Sequence, residues 1–127
     1  MRRSRAGFTL IELLIVVVII GILAAITIPK FKNTKAKAAA SSLKTDLRNL
    51  TTAQEAFFYS HNRYSTNVDS LGFRTTRGVV LTIAQGDQLG WAASVTHPDA
   101  YPLKCAIFIA GATPVTPATT EGLMACQ

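Results

Sequence analysis

A single carboxylate, Glu12, lies within an otherwise apolar run from Phe8 to Ile28. As a helix with a rise of roughly 1.5 Å per residue, this run would span about 31 Å, which matches the hydrocarbon thickness of a bilayer. A charged side chain inside a membrane segment costs about 2.5 to 3.5 kcal/mol on insertion scales, so its presence indicates a functional group with a partner. The sequence therefore predicts a membrane-spanning helix with one specific acid.

The segment before the run is short and basic: residues 1–7 are Met-Arg-Arg-Ser-Arg-Ala-Gly. The whole chain of 127 residues has a net charge of +6. Three of its 13 basic residues lie in this segment, so that without it ten basic residues face seven acidic ones and the net charge is +3. Such a balance permits weak contact with nucleic-acid phosphates but indicates no site for them.

A second basic cluster follows the apolar run and contains Lys30, Lys32, Lys35 and Lys37. It can contact anionic lipid headgroups at roughly 1 kcal/mol per charge, or it can be a solvated helix face. Four lysines after the run oppose three arginines before it, so the positive-inside rule does not orient the helix.

Two ordinary interpretations of the N-terminus are a secretory signal peptide and an uncleaved membrane anchor. The apolar run is longer than the 7 to 15 residues typical of signal peptides, although Ala24-Ala25 offers a weak cleavage site. Neither interpretation gives Glu12 a role.

The residues Ala6-Gly7-Phe8-Thr9-Leu10-Ile11-Glu12-Leu13-Leu14, after the basic segment, resemble the leader and mature start of a type IV pilin or pseudopilin. The resemblance extends over about Met1 to Leu50 and continues only in outline beyond that. It implies that the leader side is cytoplasmic and that a prepilin peptidase cuts after Gly7. It also implies N-methylation of the new Phe8 amine.

In this family the acid corresponding to Glu12 neutralises the terminal amine of a neighbouring subunit, so the resemblance assigns subunit assembly to Glu12 and Phe8. An unpaired carboxylate in an apolar bundle is costly and a paired one is tolerated, which would fix the axial position of each arriving subunit. The alternative is that Glu12 snorkels to the lipid headgroups.

The implied function is that of a structural pilin that polymerises into a type IV pilus used in attachment, twitching motility or DNA uptake. The alternatives are a pseudopilin of a type II secretion system, a minor pilin, or a membrane-anchored binding module that does not polymerise. The implied partners are further copies of the chain, the prepilin peptidase, an inner-membrane assembly platform, a cytoplasmic assembly ATPase and, before assembly, membrane lipid. The precursor would lie in the inner membrane and the product in an extracellular filament, or in the periplasm for a pseudopilin.

Gly21 and Pro29 are predicted weak points of the helix, since glycine costs about 1 kcal/mol relative to alanine and proline removes a hydrogen-bond donor. They would allow either local unwinding or a kink. Residues 30–60 continue as an amphipathic helix whose inner face comprises Ala36, Ala40, Leu43, Leu47, Leu50, Gln54 and Phe57. We expect this helix to end near His61-Asn62 and its aromatic residues Phe31, Phe57, Phe58 and Tyr59 to be core residues.

The remaining residues predict a connector and a small antiparallel sheet. Tyr64, Leu71 and Phe73 are expected to attach the connector to the core. The predicted strands are Gly78 to Ala84, Leu89 to Thr96 and Leu103 to Ala110, with a hairpin turn at 85–88 between the first two. Alternation places Val79, Leu81, Ile83, Trp91, Ala93 and Val95 on the single face that packs against the helix. The predicted fold is α+β, divided into a leader (1–7), a filament-core half-helix (8–29), an amphipathic half-helix (30–60) and a head (61–127).

Cys105 and Cys126 bracket a tail rich in threonine, proline, alanine and glycine. A bridge that closes a loop of about 20 residues would stabilise the chain by roughly 3 kcal/mol, and an oxidising space outside the cytoplasm permits it. The resemblance implies the same disulfide, which bounds the C-terminal loop of many pilins. Two free thiols are the alternative. The major pseudopilin instead has a calcium site in this region, whereas this tail offers one carboxylate, Glu121.

No set of catalytic residues can be assembled from the sequence. His97 and Asp99 lie close together in a loop, but the other histidine, His61, belongs to a different segment. The sequence contains no nucleophile, general base and orienting group at a spacing that indicates a catalytic site. We therefore expect a chain that is not an enzyme and needs no cofactor.

Overall fold

The computed structural model describes residues 7–127, so that all of the predicted leader except Gly7 lies outside the described residues. Within that range the elements are helix α1 (Leu10–His61), strands β1 (Val80–Gly86), β2 (Gly90–Thr96), β3 (Lys104–Ala110) and β4 (Ala125–Cys126), and a short 3-10 turn at Pro98–Ala100. The strands pair antiparallel in the order β1-β2-β3-β4. The predicted α+β fold is confirmed.

The described chain divides into two compact units, with the boundary between Thr34 and Lys35. The first unit contains the apolar part of α1, whose large apolar side chains from Leu10 to Phe31 are between 46% and 83% exposed. This stretch is long and apolar enough to cross a membrane, and none of it is buried within the chain. The first unit therefore presents an uncovered apolar surface.

Gly21 and Pro29 both lie inside α1, which continues through them. Because proline has no N–H, the carbonyl oxygen of Ala25 lacks its usual donor four residues later. A Cβ atom placed on Gly21 would contact nothing within 4 Å, so no packing within the chain requires glycine there. Unwinding at these two positions stays a prediction.

The second unit begins at Lys35 and has its core between α1 and the sheet. Leu43, Leu47 and Leu50 are completely buried, as their spacing of three and four residues predicts. The main core consists of these leucines together with Ala39, Tyr64, Val79, Trp91, Ala93, Val95, Ala100, Cys105 and Ile107, and Leu81 and Ile83 pack against it. The alternation predicted for β1 and β2 is confirmed.

The opposite face of the sheet is also covered, which the sequence analysis did not predict. Ala92 of β2 and Ala106 and Phe108 of β3 pack with Ala112 and Ala118 of the C-terminal tail. The approach is so close that a Cβ atom on Gly90 would collide with the main chain at positions 109 and 112. Because four of these five residues are alanines, the tail lies directly on the sheet and forms a second, smaller core.

The connector between α1 and β1 is attached to the helix by two buried polar side chains. Asp46, 3% exposed, accepts hydrogen bonds from the Thr76 N–H (2.7 Å) and the Thr76 hydroxyl (2.8 Å). The amide of Gln54 donates to the main-chain oxygen of Ser65 (2.6 Å) and accepts from its N–H (3.0 Å). Buried polar groups satisfied in this way fix the path of the backbone.

The connector also makes the predicted apolar contacts. Tyr64 is buried, and Leu71 and Phe73 pack against the main core. The helix ends at His61, and Asn62 takes a positive φ of 53°, a conformation that asparagine adopts more readily than most residues.

The hairpin between β1 and β2 turns around Asp87, inside the predicted turn. Its carboxylate accepts from the Gln85 amide (2.8 Å) and from the N–H groups of Leu89 (2.7 Å) and Gly90 (3.1 Å). The Gln85 hydrogen bond, followed by those from the main chain, lowers the pKa of Asp87 below its ordinary value. The turn is thus stabilised by the ionised form.

Several predicted details are wrong. Strand β1 begins at Val80 and not at Gly78, because the Val79 N–H bonds to the Thr76 carbonyl in a turn and Gly78 has a φ of 90°. It extends to Gly86 past an irregularity in the pairing between Ile83 and Gln85. Strand β4 was not predicted.

Two aromatic residues expected in the core are exposed. Phe31, in the first unit, is 68% exposed and Tyr59, in the second, is 94% exposed. Phe58 packs against the core and Phe57 stacks on His61 with ring centroids 4.0 Å apart. Residues 57 to 59 occupy successive positions around the helix, so they cannot all face the sheet.

Candidate assembly site

The beginning of α1 brings Thr9 and Glu12 together. The Glu12 oxygen Oε2 accepts hydrogen bonds from the Thr9 N–H and the Thr9 hydroxyl, both at 2.8 Å. In return the hydroxyl oxygen of Thr9 accepts a hydrogen bond from the Glu12 N–H at 3.3 Å. Thr-x-x-Glu is the capping-box pattern, in which the first and fourth residues satisfy each other's main-chain donors. Sequence analysis missed Thr9, although this spacing could have revealed it.

The second carboxylate oxygen of Glu12, Oε1, makes no hydrogen bond to any residue in the described range 7–127. The residues on either side, Ile11 and Leu13, are 65% and 63% exposed and apolar. A carboxylate offers about four lone-pair positions, so the capping box leaves capacity for a further donor. The site can therefore hold a cation such as an ammonium group.

The predicted processing residues lie immediately before the helix. Phe8 is 82% exposed, and a Cβ atom at Gly7 would meet nothing within 4 Å. In the described part of the chain, Glu12 is bonded to Thr9 and forms no hydrogen bond with Phe8. Cleavage after Gly7, methylation of Phe8 and pairing of Phe8 with Glu12 of another copy stay predictions.

The predicted disulfide between Cys105 and Cys126 is present. Its Cα atoms are 4.0 Å apart, and it joins neighbouring positions of β3 and β4. Next to it, the main chains of Lys104 and Gln127 exchange hydrogen bonds of 2.8 and 2.9 Å. The bridge and the short strand together hold the end of the described chain on the sheet edge.

The histidines have structural positions. His97 accepts a hydrogen bond from the Asp99 N–H (3.0 Å) and caps the 3-10 turn, while the Asp99 carboxylate pairs with Lys35 at 3.1 Å. His61 lies in the last turn of α1. Residues 7–127 contain no group of three or more histidine, cysteine or acidic side chains placed to hold a metal ion.

Comparison with known proteins bears directly on this N-terminal site. Residues 2–28 match the prokaryotic N-terminal methylation motif. The chain is 54% identical over 72 residues to the type IV major pilin protein PilA of Myxococcus xanthus, and 49% identical over 55 residues to the type IV major fimbrial protein FimA of Dichelobacter nodosus. Over these matched regions the chain is similar to type IV pilins and pseudopilins.

The pseudopilin branch of the family is represented by the type II secretion system core protein G of Aeromonas hydrophila, which is 36% identical over 70 residues. The matched regions cover 57%, 43% and 55% of this chain for PilA, FimA and core protein G. They cover 33%, 35% and 49% of those proteins, so the chain spans from a third to a half of the length of the curated relatives it matches.

Pilins and pseudopilins are structural subunits and not enzymes. The methylation motif contains Gly7, Phe8 and Glu12, together with the capping residue Thr9. The N-terminal end of α1 is therefore the candidate site for processing and assembly.

Proposed function

We propose that this chain is the major subunit of a type IV pilus. A prepilin peptidase removes residues 1–7, the amine of Phe8 is methylated, and the processed chains polymerise through their apolar helices. The observation that carries this proposal is the first unit itself, in which an uncovered apolar helix contains one carboxylate with an unused oxygen. Residues 8–29 form the filament core, residues 30–60 the amphipathic half of the helix and residues 61–127 the head.

Glu12 sets the register between subunits. In a bundle of apolar helices an unpaired carboxylate carries a large desolvation cost, which pairing with a cationic terminus offsets. The free oxygen Oε1 accepts from the Phe8 ammonium of the neighbouring copy, while Oε2 remains bonded to Thr9. A subunit is then stable in the filament only at the axial position where these charges meet.

The filament core gains little from the hydrophobic effect, because lipid tails are as apolar as the neighbouring helices. Association of the apolar half of α1 depends instead on packing and on the polar pair. Extraction of the subunit from the inner membrane then requires work from a cytoplasmic ATPase acting through a membrane platform. Gly21 and Pro29 allow local unwinding of α1 when the helices pack in the filament.

The type IV pilus is favoured over the type II secretion system by two observations. Identity is higher to the major pilin (54%) and the major fimbrial protein (49%) than to core protein G (36%). The tail is closed by a disulfide and contributes a single carboxylate, Glu121, to its loop. The filament is extracellular and serves attachment, twitching motility or DNA uptake.

The second candidate is a pseudopilin, supported by the match to core protein G over 70 residues. In that case the filament is short and periplasmic. Shearing of intact cells separates the two candidates, because only an extracellular pilus is released and contains this chain as its main component. A membrane-anchored module that does not polymerise would give no filament in either compartment.

The decisive experiment examines processing and assembly in the same cells. Mass spectrometry of sheared filaments should find a mature chain that begins at N-methylated Phe8. Glu12→Ala and Glu12→Gln should both be cleaved and inserted in the membrane, but the yield of sheared filaments should fall by more than about tenfold, since an unmatched amine remains buried. Glu55→Gln, which alters an acid outside the apolar run, is the matched control.

Two results would contradict the proposal. Filaments built from chains that retain Met1 would exclude the processing step. A normal yield of Glu12→Ala filaments would exclude the role of Glu12.

A further inference from the structure

A groove of about 680 Å³ lies in the second unit between α1 and the edge of the sheet that contains β4. Lys44, Arg48 and Thr51 of α1 form one wall. Ile107, Met124 and Cys126, the last being part of the disulfide, contribute an apolar floor. The groove thus combines two cations with apolar surface.

The cations of this groove form no ion pair with any residue in the described part of the chain. Lys44 and Arg48 are four residues apart and so lie on the same helix face, where like charges repel. Across residues 7–127, neither is within 4.0 Å of a carboxylate, whereas Lys35 of the same helix pairs with Asp99 at 3.1 Å. The groove therefore has an unsatisfied preference for an anion.

Most acids of the second unit are already engaged. Asp46 is bonded to Thr76, Glu55 accepts from the Tyr64 hydroxyl, Asp87 stabilises its turn and Asp99 pairs with Lys35. In the described chain, the two acids whose side chains make no hydrogen bond or ion pair are Asp69 and Glu121. Glu121 precedes Gly122, which lines the groove, so it already belongs to the rim on the same chain.

Asp69 lies elsewhere in the unit, on the connector. It lines a separate depression with Phe73 and Arg74, which shares no residue with the cationic groove. The connector is held to α1 through Asp46 and Gln54, so that little conformational freedom is lost when Asp69 binds a partner.

We propose that the groove at Lys44 and Arg48 receives the Asp69 carboxylate of a second copy of this chain. Arg48 can bind a carboxylate through two parallel N–H donors, and Lys44, one helical turn away, adds a second positive charge. The two surfaces are different patches of the same molecule, which makes the contact heterologous. Repetition of such a contact generates an open helical filament, so this inference rests on the proposed function.

The groove favours an acidic side chain over a nucleic acid or a lipid surface. Two cations above an apolar floor present a local site, whereas a phosphate backbone is bound by a longer row of cations without an apolar floor. The second unit of another copy supplies the exposed Asp69 carboxylate on a connector that is held to α1, which matches the charge of the site.

Reciprocal charge reversal tests the proposal. Arg48→Glu and Asp69→Arg should each reduce the yield of sheared filaments by about tenfold, which corresponds to about 1.4 kcal/mol. The double variant Arg48→Glu/Asp69→Arg should recover most of the wild-type yield, because the pair is restored with reversed signs. Arg77→Glu, a charge reversal of the same size at an exposed arginine that lines neither depression, should leave the yield unchanged. The Cys105–Cys126 disulfide and the melting temperature in detergent confirm that each variant folds.

A zero-length carbodiimide crosslink provides a second measurement that needs no substitution. An amide bond between Lys44 and Asp69 should form in sheared wild-type filaments and be lost when the subunits are dispersed in detergent before the reaction. An equal yield of crosslink in dispersed subunits would show contact within one chain and overturn the proposal.

Failure of the groove contact can be distinguished from failure of the proposed pilus function. Wild-type filaments with unchanged yields for both single variants, or failure of the double variant to recover, would contradict the groove alone. Variants that assemble normally and lose only the binding of double-stranded DNA to intact filaments would also contradict the proposed groove contact. Processed wild-type chains that form no filaments would contradict the proposed function.

Discussion

The two units of the molecule share one helix and use it in opposite ways. In the first unit Leu23 is 60% exposed and the apolar surface is uncovered, while in the second Leu47 is completely buried against the sheet. Both are leucines in α1 with similar helix propensity. The difference shows that the second half of the helix has its apolar partner within the chain, whereas the apolar surface of the first half is uncovered in the described residues.

Polar groups follow the same division. In the second unit the buried side chains of Asp46 and Gln54 are satisfied by Thr76 and Ser65 of the same chain. In the first unit Glu12 is satisfied by Thr9 on one oxygen only. Internal satisfaction stabilises a fold, and incomplete satisfaction in an apolar surface favours association.

The difference between the two units is tested most strongly by the same leucine-to-alanine substitution in each half of α1. Leu47→Ala should lower the free energy of unfolding by about 2 to 5 kcal/mol, since it leaves a cavity in the core. Leu23→Ala should change it by less than about 0.5 kcal/mol, because the side chain has no partner in its own chain. Denaturant unfolding of the detergent-solubilised chain, followed by the fluorescence of Trp91, measures both. Equal effects would mean that the first unit also packs within the chain.

Removal of the disulfide should affect the second unit alone and have the next largest effect. Cys105→Ala with Cys126→Ala opens a loop with a separation of 21 residues, which should cost about 3 kcal/mol. The same unfolding measurement, with reduced wild-type protein as control, gives the value. Helicity of the apolar half in detergent should be retained, and its loss would show that the two units fold together.

The smallest expected effect is a dependence of the folding stability on pH in the alkaline range. Burial, together with the charge of Glu55 and the hydrogen bond to it, raises the pKa of Tyr64 above its usual value near 10. The folded state therefore keeps this proton where the unfolded state loses it. The stabilising contribution is complete below about pH 10 and disappears as the pH rises through the folded pKa.

Melting temperatures of wild type and Tyr64→Phe across pH 9 to 11 measure this contribution by their difference, because other alkaline groups are common to both. The difference should be constant below about pH 10 and change above it. Parallel curves throughout would contradict the assigned environment of Tyr64.

Sequence periodicity was sufficient to predict which large apolar side chains are buried in the main core. Spacing of three and four residues identified the buried leucines of α1, and alternation identified the face of β2 that contains Trp91. Large apolar residues lose most by exposure, so their pattern reflects the buried surface directly. The disulfide was predicted on other grounds, namely a tail with little to bury between the two cysteines and the resemblance to pilins, and it is present.

The second core was not predictable in this way. Ala92, Ala106, Ala112 and Ala118 are small residues that occur equally on surfaces and in interiors, and their burial depends on how closely the tail approaches the sheet. Strand β4 has two residues, too few for any alternation. Both depend on contacts between distant parts of the chain.

The candidate site was predictable only in part. Glu12 was evident because a charge in an apolar run is exceptional, while its capping partner Thr9 was overlooked. The bond between Asp46 and Thr76 joins residues 30 positions apart and follows from no local pattern. The groove at Lys44 and Arg48 includes residues of the C-terminal tail, so it could not be predicted without knowledge of where the tail lies.

The attachment of the connector by Gln54 has a practical consequence. Gln54 bonds to the main-chain N–H and oxygen of Ser65 and not to its hydroxyl, so replacement of the residue at position 65 leaves both bonds available. The side chain at position 65 can thus change while the connector stays attached to α1. A substitution of Ser65 therefore removes only the contacts of its hydroxyl with Asn67 and Ser70, which separates the internal shape of the loop from its attachment to the helix.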